Sequence, residues 1–162
     1  MQRQSWDRQS WDSYFMGLAH QVATRSICQR RKVGAVAVNE RNRIIGTGYN
    51  GPPSGMKHCT KKTCVRMLKN IPSGTQVEIC KAIHAEANIV LQLGSQLENA
   101  LVYVTCQPCI SCLKLLMGAR VGRIVWESAY PDDYARELME EYGVINQFPD
   151  DNNTEFFELV KI

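Results

Sequence analysis

A histidine followed by two closely spaced cysteines constrains this chain more than any other feature of its sequence. His84-Ala85-Glu86 precedes Pro108-Cys109-Ile110-Ser111-Cys112. One imidazole and two thiolates supply three ligands to a Zn²⁺ ion, and three protein ligands leave the fourth tetrahedral position open for water, as in catalytic zinc sites. The carboxylate of Glu86 is placed to move protons on and off that water. The spacing therefore predicts a catalytic zinc centre with the ligands His84, Cys109 and Cys112.

Both parts of this motif coincide with predicted helix starts. Apolar periodicity indicates one helix from about Cys80 to Leu93 and another over Cys109–Ala119. Two helix N-termini then converge on the metal, and their positive dipole ends lower thiol pKa values and stabilise thiolates. Pro108 suits a helix start because its missing N–H costs nothing there. The alternative is a structural zinc with Glu86 as its fourth ligand. The proline and the carboxylate favour a catalytic site over a structural one.

Helical and strand patterns alternate along the rest of the chain. Ser10 is suited to cap a helix with apolar residues from Trp11 to Val22, and two β-branched runs, Val33–Val38 and Ile44–Tyr49, predict a hairpin. The later predicted elements are strands at Leu101–Thr105, Val121–Trp126 and Phe156–Val160 and a helix at Asp132–Tyr142. This order predicts an α/β fold class, a three-layer α/β/α sandwich around a mixed central sheet.

One domain accounts for all 162 residues, because no linker divides the chain and this length buries a core without disulfides. Residues 1–10 are interpreted as an N-terminal extension, since they hold most of a tandem repeat of Arg-Gln-Ser-Trp-Asp that is too short for a solenoid unit. Residues 50–80 are an insertion loop, and Gly and Pro recur too densely over Asn50–Gly55 for regular structure there. Loops this long are usually functional or tied down.

Bulk composition argues against several classes of protein. The net charge of +3 is too small to indicate a nucleic-acid surface by itself, and no apolar run approaches the roughly 20 residues of a membrane span. The first residues contain no apolar core and so do not predict a secretory signal. We therefore expect a cytoplasmic protein without membrane or nucleic-acid partners. Its seven cysteines are then metal ligands or free thiols rather than disulfides.

Five stretches of the chain resemble the deoxycytidylate (dCMP) deaminase family, within the zinc-dependent cytidine and deoxycytidylate deaminase superfamily. These stretches are Arg25–Cys28, Val33–Val36, Gly48–Gly55, His84–Asn88 and Thr105–Cys109. The H-x-E and P-C-x-x-C pair is the general deaminase motif. The Gly-Tyr-Asn-Gly stretch separates this family from tRNA adenosine and free-nucleoside deaminases. The resemblance implies a cytidine deaminase-like fold and hydrolysis of dCMP to dUMP and ammonia, which supplies dUMP for thymidylate synthesis.

The same resemblance implies further site residues and partners. Glu86 transfers protons between zinc-bound water and the substrate. Family members are commonly homohexamers activated by dCTP with Mg²⁺ and inhibited by dTTP, so we expect a homo-oligomer with these effectors. The substrate-binding candidates are Asn50 and Tyr130 for the pocket, Arg25 and Ser26 for the phosphate, and Ala85 within the metal motif. Plainer interpretations are Asn50 as a turn residue, Tyr130 as a core residue and Arg25 as a solvated helix end.

The remaining cysteines suggest a second metal site. They are Cys28, Cys59, Cys64 and Cys80, with Cys106 left over as a core thiol beside the catalytic ligands. Four thiolates make a closed tetrahedral zinc site, which stabilises a fold outright. Similar cysteines in the family bind a structural zinc, and because some relatives use a histidine there, His58 rivals Cys28 as the fourth ligand. We expect this zinc to pin the 50–80 loop. Small buried side chains and exposed free thiols are the alternative.

Other functions compete with a dCMP deaminase. Deaminases of tRNA adenosine, of dCTP, or of a pterin or pyrimidine intermediate use the same zinc motif. A polynucleotide substrate requires a basic, aromatic groove, which the sequence does not indicate. A non-catalytic, zinc-stabilised binding module is supported only by cations around Cys59 and Cys64. They are Lys57, Lys61, Lys62, Arg66 and Lys69. We interpret them as a solvated face or as part of a phosphate or effector site.

Overall fold

The computed structural model describes residues 8–142 and 146–147. The helices within these residues are α1 (Trp11–Ala23), α2 (Val65–Leu68), α3 (Ala85–Leu93), α4 (Ile110–Gly118) and α5 (Asp133–Tyr142). The strands are β1 (Gly34–Val38), β2 (Ile44–Tyr49), β3 (Leu101–Cys106), β4 (Arg123–Ser128) and β5 (Asn146–Gln147). Short 3₁₀ turns lie at Val77–Ile79 and Gly94–Leu97. No helix in the described ranges combines the length and the apolar character needed to cross a membrane.

The strands form one mixed sheet in the order β2-β1-β3-β4-β5. Strand β1 is antiparallel to both β2 and β3, whereas β3 is parallel to β4 and β4 to β5. The predicted hairpin is confirmed, and its turn is held by the Asn39 side chain, whose Oδ1 accepts from the backbone N–H groups of Arg41 and Arg43. The mixed sheet expected from the alternating helix and strand patterns is therefore present.

Helices cover both faces of the sheet. Odd and even positions of the central strands face opposite layers: Val36 and Tyr103 pack on α1, and their strand neighbours pack on α3 and α4. The buried side chains that α1 contributes are Phe15, Met16 and Ala19, and those from the opposite helical layer include Ile89, Leu113 and Leu116. Burial on both faces explains why these strands are apolar almost throughout. The three-layer α/β/α sandwich is confirmed.

Helix α1 is fastened to the sheet at its first turn. Ser10 caps it by accepting from the Ser13 N–H at 3.1 Å. The Asp12 carboxylate accepts two hydrogen bonds from the Arg123 guanidinium, at 3.0 and 2.9 Å, and one from the Tyr103 hydroxyl at 2.7 Å. A bidentate Arg–carboxylate pair also fixes relative orientation, so this contact sets how α1 lies across β3 and β4.

Helix α3 approaches the edge of the sheet closely because β2 carries glycine at the crossing point. A Cβ on Gly48 would lie 2.3 Å from the carbonyl oxygen of Ala85, the first residue of α3. No other residue type fits there without moving the helix. The position of the α3 N-terminus therefore depends on this glycine.

Two helix boundaries differ from those predicted. Helix α3 begins at Ala85 rather than near Cys80, because the preceding residues are extended and Ile83 exchanges two backbone hydrogen bonds with Gly51, at 3.1 and 2.8 Å. Helix α4 begins at Ile110 with Cys109 as its cap, so Pro108 lies just before the cap rather than inside the first turn. The predicted strand at Phe156–Val160 lies outside the described residues.

Candidate active site

The predicted metal ligands lie together at the N-termini of α3 and α4. His84 caps α3 and Cys109 caps α4, while Cys112 lies in the first turn of α4. The His84 Nδ1 atom is 3.5 Å from the Cys109 sulfur and 3.4 Å from the Cys112 sulfur. Among residues 8–142 and 146–147, these three form the one set of His, Cys, Asp or Glu ligand atoms that lie within 4.8 Å of one another.

The geometry of these three donors fits zinc. A Zn–S bond of about 2.3 Å and a Zn–N bond of about 2.0–2.1 Å, meeting at a tetrahedral angle, place sulfur and nitrogen roughly 3.5 Å apart. The observed separations of 3.5 and 3.4 Å match that value. Both sulfurs are buried and the imidazole is half-buried. Three ligands leave one position for water, as the sequence motif predicts.

The two cysteine ligands shift the pKa values of each other. Hydrogen bonding from the Cys112 thiol lowers the pKa of Cys109, and the same contact raises the pKa of Cys112. The hydrogen bond to Cys109 also raises the pKa of His84, although burial opposes this effect. The lowered pKa of Cys109 favours the thiolate, which is the protonation state that a zinc ligand needs.

Glu86 is a buried carboxyl beside these ligands. Its side chain is 4 % exposed and faces the same cavity as His84 and Cys109. Burial raises the pKa of Glu86 to about 7, and the neighbouring His84 opposes the increase. A group with a pKa near neutrality exchanges protons readily at physiological pH, which is what a general acid and base requires.

Asp132 positions α4 and was not identified from the sequence. One carboxylate oxygen accepts from the Ile110 N–H at 2.8 Å and the other from the Ala135 N–H at 3.0 Å. A single side chain thus caps the N-termini of both α4 and α5. The signal was available, since aspartate directly before a helical pattern is a common cap, but its contact with α4 is set by the fold.

The active-site cavity has a volume of about 380 Å³. Three arginines, Arg30, Arg31 and Arg66, line it together with Gln107. For Arg66 the sequence left two interpretations open, a solvated face or part of a phosphate or effector site, and the solvated face is wrong because the side chain is only 7 % exposed. The sequence patterns did not point to Arg30, Arg31 or Gln107. The cavity therefore combines positive charge with the metal ligands.

The two residues predicted to bind phosphate do not reach this cavity. Arg25 is exposed at the end of α1 and lies outside the cavity lining. Ser26 is 1 % exposed, and its hydroxyl donates to the Asn50 carbonyl at 2.8 Å and accepts from the Cys28 N–H at 3.2 Å. Ser26 thus holds the backbone of the site together, and the structure gives no support to a phosphate contact by either residue.

Asn50, Tyr130 and Ala85 do line the cavity. The Asn50 side chain also joins two segments, because Oδ1 accepts from the Val33 N–H at 2.8 Å and Nδ2 donates to the Arg31 carbonyl at 2.9 Å. These bonds leave one N–H of the amide available to a ligand. The Tyr130 hydroxyl accepts from a backbone N–H of the 50–80 loop at 3.2 Å.

The four remaining cysteines line the same cavity. Cys64 is buried, and Cys28, Cys59 and Cys80 are half-buried. Burial raises the pKa of Cys59, the Lys81 cation opposes the increase, and the other three thiols add to it. The other three thiols therefore lie within electrostatic range of Cys59, although the four are less compact than the catalytic ligands in the described structure. His58 is exposed and outside the cavity lining, which favours Cys28 over it.

Comparison with known sequences points to one family. Residues 9–128 match the family model for the cytidine and deoxycytidylate deaminase zinc-binding region. Deoxycytidylate deaminase from Mycobacterium phage D29 is 42% identical over 74% of this chain and 95% of its own length. Deoxycytidylate deaminase from Schizosaccharomyces pombe is 36% identical over 85% of this chain, which spans only 43% of that longer relative.

Comparison with solved structures agrees on the fold. The dCMP deaminase from cyanophage S-TIM5, in complex with dCMP and dUMP, superposes with a TM-score of 0.68 over 84% of this chain and 95% of its own, at 24% identity. At this identity the likeness supports the fold alone. The matched region holds the three metal ligands, the buried glutamate and the sheet that supports them. The resemblance inferred from the motifs is thus confirmed, and the chain belongs to the cytidine and deoxycytidylate deaminase family.

Proposed function

We propose that this protein hydrolyses dCMP to dUMP and ammonia. The observation that carries the proposal is the buried carboxyl of Glu86, which shares one cavity with a His-Cys-Cys ligand set. The curated relatives named deoxycytidylate deaminase support the choice of substrate. A purely structural zinc site does not require a proton-transfer group with a pKa near 7, so the arrangement favours catalysis.

The proposed chemistry uses Glu86 twice. A zinc ion held by His84, Cys109 and Cys112 supplies, when bound, a water with a pKa lowered towards neutrality. Glu86 takes a proton from that water and delivers it to N3 of the cytosine as the oxygen bonds to C4. Glu86 then takes the remaining proton of the water oxygen, now a hydroxyl on C4, and transfers it to the amino group. The C4–N bond breaks and ammonia leaves. Water and dCMP are consumed, and dUMP and ammonia are formed.

The rest of the cavity suits a nucleotide monophosphate. The N–H of Ala85 is the first in α3 and has no partner within the helix, so it can donate to a carbonyl oxygen of the base. Asn50 and Tyr130 can contact the sugar. The arginines of the lining provide positive charge for the phosphate, a role for which they replace Arg25 and Ser26.

An ammonia-release screen tests the proposal. The purified, zinc-loaded protein is assayed with dCMP, dCTP, CMP, deoxycytidine and adenosine. We expect the highest kcat/KM with dCMP. A preference for dCTP or for adenosine would show that the substrate is another nucleotide or nucleoside, while the deamination mechanism would stand. No ammonia from any of the five compounds would contradict the proposed function.

We also propose a second, structural zinc held by Cys28, Cys59, Cys64 and Cys80. Their shared cavity lining and the effect of the other three thiols on the pKa of Cys59 support it. Metal analysis of the purified protein should give two zinc ions per chain, and Cys64→Ser should reduce this to one. A single zinc in the unaltered protein would exclude the second site.

The proposal also includes regulation and assembly, and both are inferred from the resemblance to the family. We propose a cytoplasmic homo-oligomer, a hexamer by resemblance, that dCTP activates with Mg²⁺ and dTTP inhibits. Titrating each triphosphate against dCMP turnover, with light scattering to measure the mass of the assembly, tests both parts. Hyperbolic kinetics that neither nucleotide alters would remove the regulation, and a monomeric mass would remove the assembly.

A further inference from the structure

Two buried donors in the active-site cavity lack hydrogen-bond partners. They are Arg66 Nε and Gln107 Nε2, the only buried side-chain nitrogen or oxygen atoms without a partner in the part of the chain that the structure describes. Both side chains line the cavity, and they are 7 % and 5 % exposed. Buried polar groups in native proteins are nearly always satisfied, so each exception requires an explanation. Two such donors beside one cavity need acceptors that the described residues do not supply.

Two of the three cavity arginines are already committed to the protein. Arg30 Nη1 donates to the Ile71 carbonyl at 2.6 Å. Arg31 Nη1 donates to the Cys106 sulfur at 2.8 Å, and its guanidinium lies 5.7 Å from the centre of the Tyr130 ring.

Arg66 differs from both because its side chain is buried and its Nε atom has no partner. Its Nη2 atom donates to the Pro72 carbonyl at 2.9 Å and to the Thr75 carbonyl at 2.8 Å. Among the described residues, no carboxylate pairs with this guanidinium. A buried cation without a counter-ion is costly, and an anion in the cavity removes that cost. Carbonyl contacts at one edge also hold the group in place before a ligand arrives.

We propose that Arg66 recognises the phosphate of the nucleotide substrate, an inference that rests on the proposed function. Its Nε and Nη1 atoms make no hydrogen bond to the described residues, so they remain as donors for the oxygens of a phosphate. Gln107 is uncharged and precedes the metal motif directly, so its free amide is suited to a neutral acceptor on the nucleoside. Arg66 therefore determines whether the enzyme prefers a nucleotide to a nucleoside.

The test compares dCMP with deoxycytidine, which differ only in the phosphate. In Arg66→Gln we expect the ratio of kcat/KM for dCMP to that for deoxycytidine to fall on the order of 10- to 100-fold, mainly through the KM for dCMP. Arg66→Lys should recover part of the ratio, because lysine keeps the positive charge but lacks the fixed N–H donors of the guanidinium. The affinities of dUMP and deoxyuridine, measured by calorimetry, should show the same change without turnover.

Matched variants separate this role from support of the loop. Lys62→Gln removes an exposed cation of the same segment, and Thr75→Val removes the hydrogen bond from Thr75 Oγ1 to the Pro72 carbonyl. Both should leave the ratio unchanged. Equal losses for the two substrates in Arg66→Gln, or an unchanged ratio with lost zinc, would overturn the proposal. If Arg66→Gln does not fold, the ratio of the two kcat/KM values measured for Arg66→Lys tests the proposal instead. Wild-type turnover of dCMP reports separately on the proposed function.

Discussion

Glu86 combines a required chemical role with an unfavourable environment. Its carboxyl is 4 % exposed, and burial raises its pKa to about 7 from the ordinary value of 4.5. Ionisation therefore opposes folding in the absence of metal. Active sites commonly hold such groups at a cost in stability.

The pKa of Glu86 predicts how the stability of the metal-free protein depends on pH. The folded-state pKa is raised, so the folded chain binds this proton more tightly, and the associated stability is complete below about pH 4.5 and lost as pH rises through 7. Glu86→Gln removes the effect. In urea denaturation with a chelator, the variant should gain stability relative to wild type between pH 4.5 and 8, reaching about 3 kcal/mol. A difference that does not change with pH would contradict the assignment.

Asn50 should contribute to stability through the hydrogen bonds of its side-chain amide. Its amide bonds to the Val33 N–H and the Arg31 carbonyl, and the side chain is 8 % exposed. Asn50→Ala leaves both backbone groups without a partner and should lower the free energy of unfolding by about 1–3 kcal/mol, measured by denaturant titration. As a comparison, Asn42→Gly changes a half-buried turn residue with φ of 56° and should not destabilise the protein. Loss of dCMP affinity in Asn50→Ala without loss of stability would show that Asn50 is only a substrate contact.

At the scale of elements, the active site depends on how closely α3 approaches β2. Gly48→Ala would bring a Cβ to 2.3 Å from the Ala85 carbonyl, so α3 must shift and carry His84 and Glu86 with it. We expect reduced zinc content and at least a tenfold loss of dCMP turnover, because small misplacements of catalytic groups are costly. Zinc analysis and the ammonia assay measure both effects.

A matched pair of glycines provides the control for this experiment. In Gly34→Ala the new Cβ would lie 2.1 Å from the Ala19 carbonyl oxygen of α1, on the face of the sheet away from the metal ligands. It should destabilise the protein without selectively lowering zinc affinity. In Gly17→Ala the new Cβ would have no neighbouring atom within 4 Å, so stability should be unchanged or slightly increased. Equal zinc content in the Gly34 and Gly48 variants would contradict the role given to the β2–α3 contact.

Helix positions were predictable from periodicity, but their ends were not. The apolar pattern of α3 extends back to about Cys80, yet a two-bond bridge between Gly51 and Ile83 holds the preceding residues extended, so the helix begins at Ala85. That bridge joins residues far apart in sequence, and local patterns do not contain it. The correction places His84 at the cap of α3.

At the scale of the whole molecule, the sheet brings together groups that the sequence separates. Short-range spacing was enough to predict the metal ligands and Glu86, and alternation of patterns was enough for the α/β/α layers. The burial of Arg66 was not predictable, because this residue lies in the four-residue helix α2 and its burial depends on contacts with the Pro72 and Thr75 carbonyls. Arg25 resembles a phosphate ligand in sequence, but the end of α1 directs it to solvent.

Ammonia release from dCMP by zinc-loaded wild type and Glu86→Gln provides the most direct test of the proposed chemistry. Wild type should form one ammonia for each dUMP. Glu86→Gln should retain its fold and its zinc and lose turnover by about 10²- to 10⁴-fold, since the amide cannot transfer protons. Turnover by the zinc-loaded variant within a few-fold of wild type would contradict the central role of Glu86 and, with it, the proposed mechanism.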